Sequence, residues 1–313
     1  MRVLVTGGAG FIGSHVVEGA LTAGFEVAVL DNFATGKREN LPSSVRTFEV
    51  DLRDRQATFR AVADFAPELV SHHAAQTSVP VSMKDPHFDA QVNVMGGLNL
   101  LDACTAAGSR TRHFVFASTG GASYGEVPEG ERASERYPLE PKSPYGINKL
   151  TFERLLAVYR AERGLSTNVL RYSNVYGPRQ DRRGEAGVVA LFFEAALAEK
   201  SLTVFAKRTP GDGGGIRDYV FVADVVRANL HALDGRLTQP VLNVGSGRAT
   251  STLDLAGRIV ELCGSRSRMQ HAEARPGDVE RSLLDVSSFE QLLGAPTPLE
   301  AGLAQTARWY RER

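Results

Sequence analysis

Val3-Leu4-Val5-Thr6-Gly7-Gly8-Ala9-Gly10-Phe11-Ile12-Gly13 decides the fold. Its apolar start reads as a buried strand, its glycines turn the chain, and a helical pattern runs from Ile12 to about Thr22. Strand, glycine turn and helix in that order are the parts of a pyrophosphate site. Gly7 permits the tight turn, Gly10 lets the backbone approach phosphates, and Gly13 lets helix and strand pack closely. Phe11 and Ile12 open the helix, whose first N–H groups and positive dipole end face the anion. The spacing is G-x-x-G-x-x-G, which taken alone also fits an ordinary strand-to-helix turn. A second strand, Glu26-Val27-Ala28-Val29-Leu30, ends in Asp31. An acidic residue about twenty positions past the turn is placed to accept hydrogen bonds from an adenosine ribose. Its charge would repel a 2′-phosphate, which favours NAD over NADP, although Lys37 and Arg38 follow and weaken that preference.

Outward from this stretch, the 313 residues are enough for one large domain or two ordinary ones, and a hydrophobic fraction of 42% supports a full core. Lys+Arg and Asp+Glu balance at 36 each, so no field of one sign draws the chain to nucleic acid or to an anionic membrane. Cys104 and Cys263 sit in helical patterns without metal-ligand spacing, and no metal site is expected. The longest apolar stretch, Ala186 to Ala198, contains Glu194 and is too short to span a bilayer. No signal peptide precedes the first strand, and the expectation is a cytoplasmic protein.

Strands alternate with helices up to about Leu170. Further strands are read near 47–50, 69–72, 113–117 and 167–170. Helices are read after Asp54, over 88–107 and over 145–163. The alternation implies a doubly wound parallel sheet, an α/β Rossmann architecture. After Arg171 glycine, proline and charge thicken, with one helix over 187–200. The run Tyr219-Val220-Phe221-Val222, a helix from Asp224 to Leu233 and the strand Val241–Val244 are read as returning to the sheet. The expected domains are therefore 1–170 with 217–245, binding NAD, and a smaller C-terminal α/β substrate lobe of 171–216 and 246–313.

The second informative stretch is Lys142-Ser143-Pro144-Tyr145-Gly146-Ile147-Asn148-Lys149. Ser143 suits an N-cap and Pro144 the first helical position. Tyr145 and Lys149 are then i and i+4 on one face. A neighbouring ammonium and the helix N-terminus both favour the phenolate. For a tyrosine to act as a base near neutrality, its pKa must fall from about 10 to about 7, worth roughly 4 kcal/mol. Ser118-Thr119-Gly120-Gly121 follows the fifth strand, at the sheet end where ligands bind. Thr119 is read as the substrate contact, with Ser118 nearer the nicotinamide.

These runs, together with Asp31-Asn32, Asp51-Leu52, His73-Ala74-Ala75-Gln76, Asn93, Arg171 through Gln180, Arg217-Asp218-Tyr219-Val220 and Arg275-Pro276-Gly277-Asp278, resemble the extended short-chain dehydrogenase/reductase family. Within it they look most like the UDP-sugar epimerases of the UDP-glucose 4-epimerase type. The resemblance implies that Asp31 and Asn32 hold the adenosine ribose and that Asp51 and Leu52 flank the adenine. It places Ala74, Ala75, Gln76, Asn93, Ser118 and Tyr172 along the cofactor cleft. Lys149 would bond the nicotinamide ribose while tuning Tyr145. Asn174, Arg217, Arg275 and Asp278 would bind the substrate diphosphate, with Val189 and Phe205 near the uracil. Guanidinium groups suit phosphate oxygens geometrically, which agrees with the arginines. The position aligned with Ser282 is small and implies room for an N-acetyl group on the sugar. A homodimer through the two long helices is expected by analogy.

The implied reaction is reversible inversion at C4 of a UDP-hexose through a 4-keto sugar, with Tyr145 as the base. A nucleotide-sugar 4,6-dehydratase is the main rival. In the family it carries an Asp-Glu pair where this chain has Gly120-Gly121, which disfavours it. A decarboxylase or reductase of the same family and a non-catalytic dinucleotide sensor are the remaining alternatives.

Overall fold

The computed structural model describes residues 1–180, 187–275 and 278–312. Ala186, Pro276 and Gly277 lie outside them. Strands run in chain order as β1 (Arg2–Thr6), β2 (Glu26–Asp31), β3 (Arg46–Glu49), β4 (Leu69–His72), β5 (His113–Thr119), β6 (Ser166–Tyr172), β7 (Asn174–Tyr176), β8 (Leu202–Phe205), β9 (Ile216–Phe221), β10 (Val241–Val244), β11 (Ala249–Ser251) and β12 (Met269–Ala272).

Seven of them form one sheet in the order β10-β6-β5-β4-β1-β2-β3. Within it β1 pairs in parallel with β2 and β4, β2 with β3, and β4 with β5. The chain adds strands outward from β1 in one direction and then, from β4, in the other. The switch point is the crevice beyond the paired ends of β1 and β4, where Thr6 stands opposite His72. Every residue of β5 is buried, as expected where helices cover both faces of a sheet. Leu4, Leu30, Val70, Phe114, Phe116, Phe152 and Leu156 belong to one buried cluster.

Local chemistry sets the helix ends. Asp54 Oδ1 accepts from Ala57 N at 2.9 Å and starts the Arg55–Phe65 helix. That helix stops at Ala66, in the left-handed conformation with φ 47°, one residue before Pro67. Ser143 Oγ accepts from Gly146 N at 3.2 Å to start the Pro144–Arg163 helix, and Gly164 with φ 68° ends it. The expected single helix over 88–107 is instead Pro86–Ala90, a π-helical stretch Gln91–Gly96 and Gly97–Thr105.

By contacts the chain falls into two compact units: Met1–Thr119, Ser143–Arg171 and Val226–Leu242, then Gly120–Lys142, Tyr172–Val225 and Asn243–Arg313. Two differences from the sequence expectation follow. β9 does not return to the large sheet. It is the middle strand of a second sheet, antiparallel to β11 and parallel to β7. The reason is Asp218. A carboxylate in mid-strand is misplaced in an apolar parallel sheet, but here it accepts from Ser246 N and Oγ, both at 2.7 Å, and from Gly247 N at 3.1 Å. Gly120–Lys142 also belongs to the second unit. Val127 N bonds Arg281 O (3.1 Å), and Ala133 exchanges backbone bonds with Leu283 O and Asp285 N, both 2.9 Å.

Among the described residues no helix is long and apolar enough to cross a membrane, and no group of three or more His, Cys, Asp or Glu is placed to hold a metal ion.

Candidate active site

At the glycine turn, Gly7 has φ +66°, and a Cβ on it would lie 2.5 Å from Ala74 N. A Cβ on Gly13 would lie 2.2 Å from Gly7 O, so helix and turn touch backbone to backbone. Gly10 is the N-cap of the Phe11–Thr22 helix, and no side chain caps that first turn. Asp31 closes β2 at 6% exposure. Its carboxylate accepts from Ala9 N at 2.9 Å and Phe33 N at 2.8 Å. Desolvation raises its pKa against the pull of those two N–H groups. Asn32 Nδ2 donates to Asp51 at 3.0 Å, and Arg53 grips the same carboxylate through Nε at 3.0 Å and Nη2 at 2.7 Å. The Arg53 hydrogen bond holds Asp51 down at about 2. Leu52 is buried, its carbonyl accepting from Asn99 Nδ2 at 2.8 Å. The two cations that weakened the preference for NAD both have acidic neighbours. Lys37 Nζ lies 3.9 Å from Glu39, and Arg38 bonds Glu49 while stacking 4.2 Å over Phe33.

Beyond β4, Ala74 N donates to Thr6 Oγ1 at 3.3 Å, with Ala75 next in the chain. Asn93, in the π-helical stretch, is spent on Gln76: Oδ1 accepts from Gln76 N and Nδ2 donates to Gln76 O, both at 2.9 Å. Gln76 Nε2 donates to Asp89 at 2.5 Å, and Asn148 Nδ2 donates to the other Asp89 oxygen at 2.7 Å. Asp89 and Asn148 were not singled out from sequence. Through them the segment after β4 is tied to the start of the Pro144–Arg163 helix, next to the turn that carries Tyr145.

Tyr145 is half-buried on the first turn of the Pro144–Arg163 helix, and Lys149 is 4% exposed one turn later. The Lys149 ammonium donates to Ala117 O at 2.8 Å and lies 4.7 Å from the Phe116 ring centre. That carbonyl is two residues before Thr119, the last residue of β5.

Ser118 departs from the expectation. Its hydroxyl donates to Glu153 Oε1 at 2.5 Å, and Arg171 holds the same carboxylate with Nε at 3.0 Å and Nη2 at 2.6 Å. A hydroxyl carries one proton. With that proton given to Glu153, Ser118 keeps only acceptor capacity and is not a proton donor to a ligand. Glu153 and Arg171 were missed as well. The signal for Glu153 was its i+4 spacing from Lys149. For Arg171 it was a cation in the apolar run Val169-Leu170, which demands a buried partner.

In the second unit, Asn174 opens β7 opposite Tyr219. Arg217, on β9, is half-buried, and Nη1 donates to Ile216 O at 3.0 Å and Glu280 O at 3.3 Å. The Arg275 guanidinium lies 3.5 Å from the Phe205 ring centre. Asp278 is exposed, and its N–H bonds Arg275 O at 3.3 Å. Val189 and Tyr172 are buried, at 2% and 5%. Ser282 is 2% exposed, with its N–H on Ile216 O at 3.0 Å.

Residues 3–245 match the NAD dependent epimerase/dehydratase family. The UDP-glucose 4-epimerase of Mycolicibacterium smegmatis is 41% identical, covering 100% of this chain and 99% of that one. The crystal structure of the Thermus thermophilus UDP-glucose 4-epimerase in complex with NAD is 51% identical with a TM-score of 0.95, covering 99% of both chains. That of the Thermotoga maritima enzyme with UDP-glucose is 42% identical with a TM-score of 0.91, covering 100% of this chain and 99% of that one. With the family model covering most of the chain and full-length relatives at 41% identity and above, this chain belongs to the NAD dependent epimerase/dehydratase family.

Proposed function

We propose that this chain is an NAD-dependent isomerase that interconverts UDP-glucose and UDP-galactose by inverting C4. The observation that carries the reading is Lys149 bonded to the β5 backbone beside Thr119, one turn from Tyr145. The first unit is the NAD-binding half and the second the nucleotide-sugar half.

The residues fit the cofactor. The glycine turn is a cradle that a Cβ would fill at Gly7 and Gly13, and its helix opens without a side-chain cap, which leaves first-turn N–H groups for a pyrophosphate. Asp31, at the end of β2, is the carboxylate for a ribose, with Asn32, Asp51, Leu52, Ala74, Ala75, Gln76, Asn93 and Tyr172 completing the cofactor's surroundings. When bound, NAD supplies the redox chemistry that takes the C4 hydrogen and returns it to the opposite face. Tyr145 takes the proton from the C4 hydroxyl and later gives it back. Lys149 stabilises the phenolate, its charge concentrated by burial. Thr119 holds the substrate oxygen by hydrogen bonding. Arg217, Arg275, Asn174 and Asp278 bind the diphosphate, with Phe205 and Val189 beside the base.

Two finer assignments join this reading. Ile147 and Val158, eleven residues apart on one helix, are 50% and 54% exposed, and Met95 is 54% exposed. They support a homodimer through the Pro144–Arg163 helix and the helical segments over 86–105. Both cysteines are free thiols, which supports a reducing, cytoplasmic setting.

The test is incubation with UDP-galactose and NAD. UDP-glucose should form without net absorbance at the reduced nicotinamide band. Accumulating NADH would mark a dehydrogenase, and a dehydrated keto sugar would mark the dehydratase. A parallel arm with UDP-N-acetylglucosamine reports on the substituent at C2.

A further inference from the structure

Glu153 is a buried carboxylate with no place in the proton transfer just described. Its side chain is 5% exposed, and that of Arg171 is 4% exposed. It takes the Ser118 proton on one oxygen and the Arg171 fork across both, with Nε at 3.0 and 3.2 Å and Nη2 at 2.6 Å. One turn earlier on the same helix, Lys149 holds Ala117 O at 2.8 Å. Two successive helical turns thus grip two successive residues of β5. The next residue of β5 is Thr119, and the turn before Lys149 carries Tyr145.

An ion pair this deep gains little stability over apolar side chains of the same volume, because desolvation offsets its attraction. What it supplies is geometry: a guanidinium fork fixes the plane of a carboxylate, and the carboxylate then fixes the hydroxyl it accepts from. We infer that Glu153, braced by Arg171, is a positioning residue that sets where the end of β5 presents the Thr119 hydroxyl to Tyr145. The inference rests on the epimerase reading above.

The test is a double-mutant cycle on the full-length, NAD-loaded protein with UDP-galactose. Glu153→Gln should lower kcat ten- to hundredfold, as expected for about 1 Å of misplacement. KM should stay within about twofold and NAD should remain bound. Ser118→Ala should act in the same direction, and the double variant should fall no lower than the worse single variant, since both break one device. A folded Glu153→Gln with kcat within about twofold of the parent overturns the inference, and so do losses that multiply in the double variant. If Glu153→Gln does not fold, Ser118→Ala and Arg171→Lys, which leave the carboxylate in place, carry the same test. Unchanged kcat in both overturns it. A parent chain that interconverts no UDP-sugar sinks the functional reading instead. The clamp is then read by amide exchange over residues 117–119, which should quicken in Glu153→Gln and would stay unchanged if the clamp were wrong.

Discussion

In the first unit Lys149, Ser118 and Asp31 are 4%, 3% and 6% exposed, each already bonded within the protein. In the second, Arg275 and Asp278 are exposed and Arg217 is half-buried, its guanidinium resting on two backbone carbonyls. The contrast follows the chemistry proposed for each half. In the proposed reading the first unit holds the reacting centre, which tolerates little displacement, and these three side chains that bind or position it are fixed by the protein's own bonds. The grip on a diphosphate proposed for the second unit needs only reach and charge, and the cost of ordering the exposed Arg275 can be met on binding.

The contrast breaks first at Tyr145. Tyr145→Phe should cut kcat by roughly 10²–10⁴-fold, the usual scale for removing a general base, while NAD stays bound. Full activity in a coupled assay would end the assignment.

Acid should also act on the first unit. Desolvation, helped by the Lys149 ammonium, holds His73 down at about 3 and His72 well below its ordinary value. The unfolded chain takes up these protons below about pH 6.5 and the fold does not. Stability is therefore complete above that pH and is lost as pH falls toward 3, by on the order of 4 kcal/mol for His73 alone. Melting temperatures between pH 7 and 4 should drop steeply, and a flat profile would contradict the neutral burial.

Gly7→Ala asks how rigid the turn is. A left-handed φ and a Cβ 2.5 Å from Ala74 N should cost about 1–3 kcal/mol, seen as a lower melting temperature and weakened NAD retention.

On the second unit the effects should be smaller and of another kind. Arg275→Ala should raise KM for the UDP-sugar by about tenfold, roughly 1.4 kcal/mol of binding, with kcat and NAD content unchanged. A fall in kcat instead would erase the distinction between the halves. Smallest of all, Asp54→Ala removes an N-cap outside the residues assigned to either ligand and should cost about 1 kcal/mol of stability with full activity.

The strand-turn-helix at the N-terminus, the strands at 69–72 and 241–244, the caps Asp54 and Ser143, and the placing of Tyr145 and Lys149 one turn apart on one helix were all legible in the chain. Each is set by neighbours a few residues apart: glycine's freedom at Gly7, a side-chain oxygen reaching an N–H three residues on, one helical face. Three features were not. β9 reads as a core strand, yet it joins a separate sheet because Ser246 and Gly247, far along the chain, supply the donors its Asp218 needs. Asn93 sits in a π-helical stretch that no periodicity announced, and its amide pairs with Gln76. Ser118 reads as a free hydroxyl after a strand until Glu153 and Arg171 close on it. Local sequence fixes conformations and which groups are chemically able. Only the assembled fold decides which of those groups are already satisfied, because a buried polar group takes whatever partner the packing brings within reach.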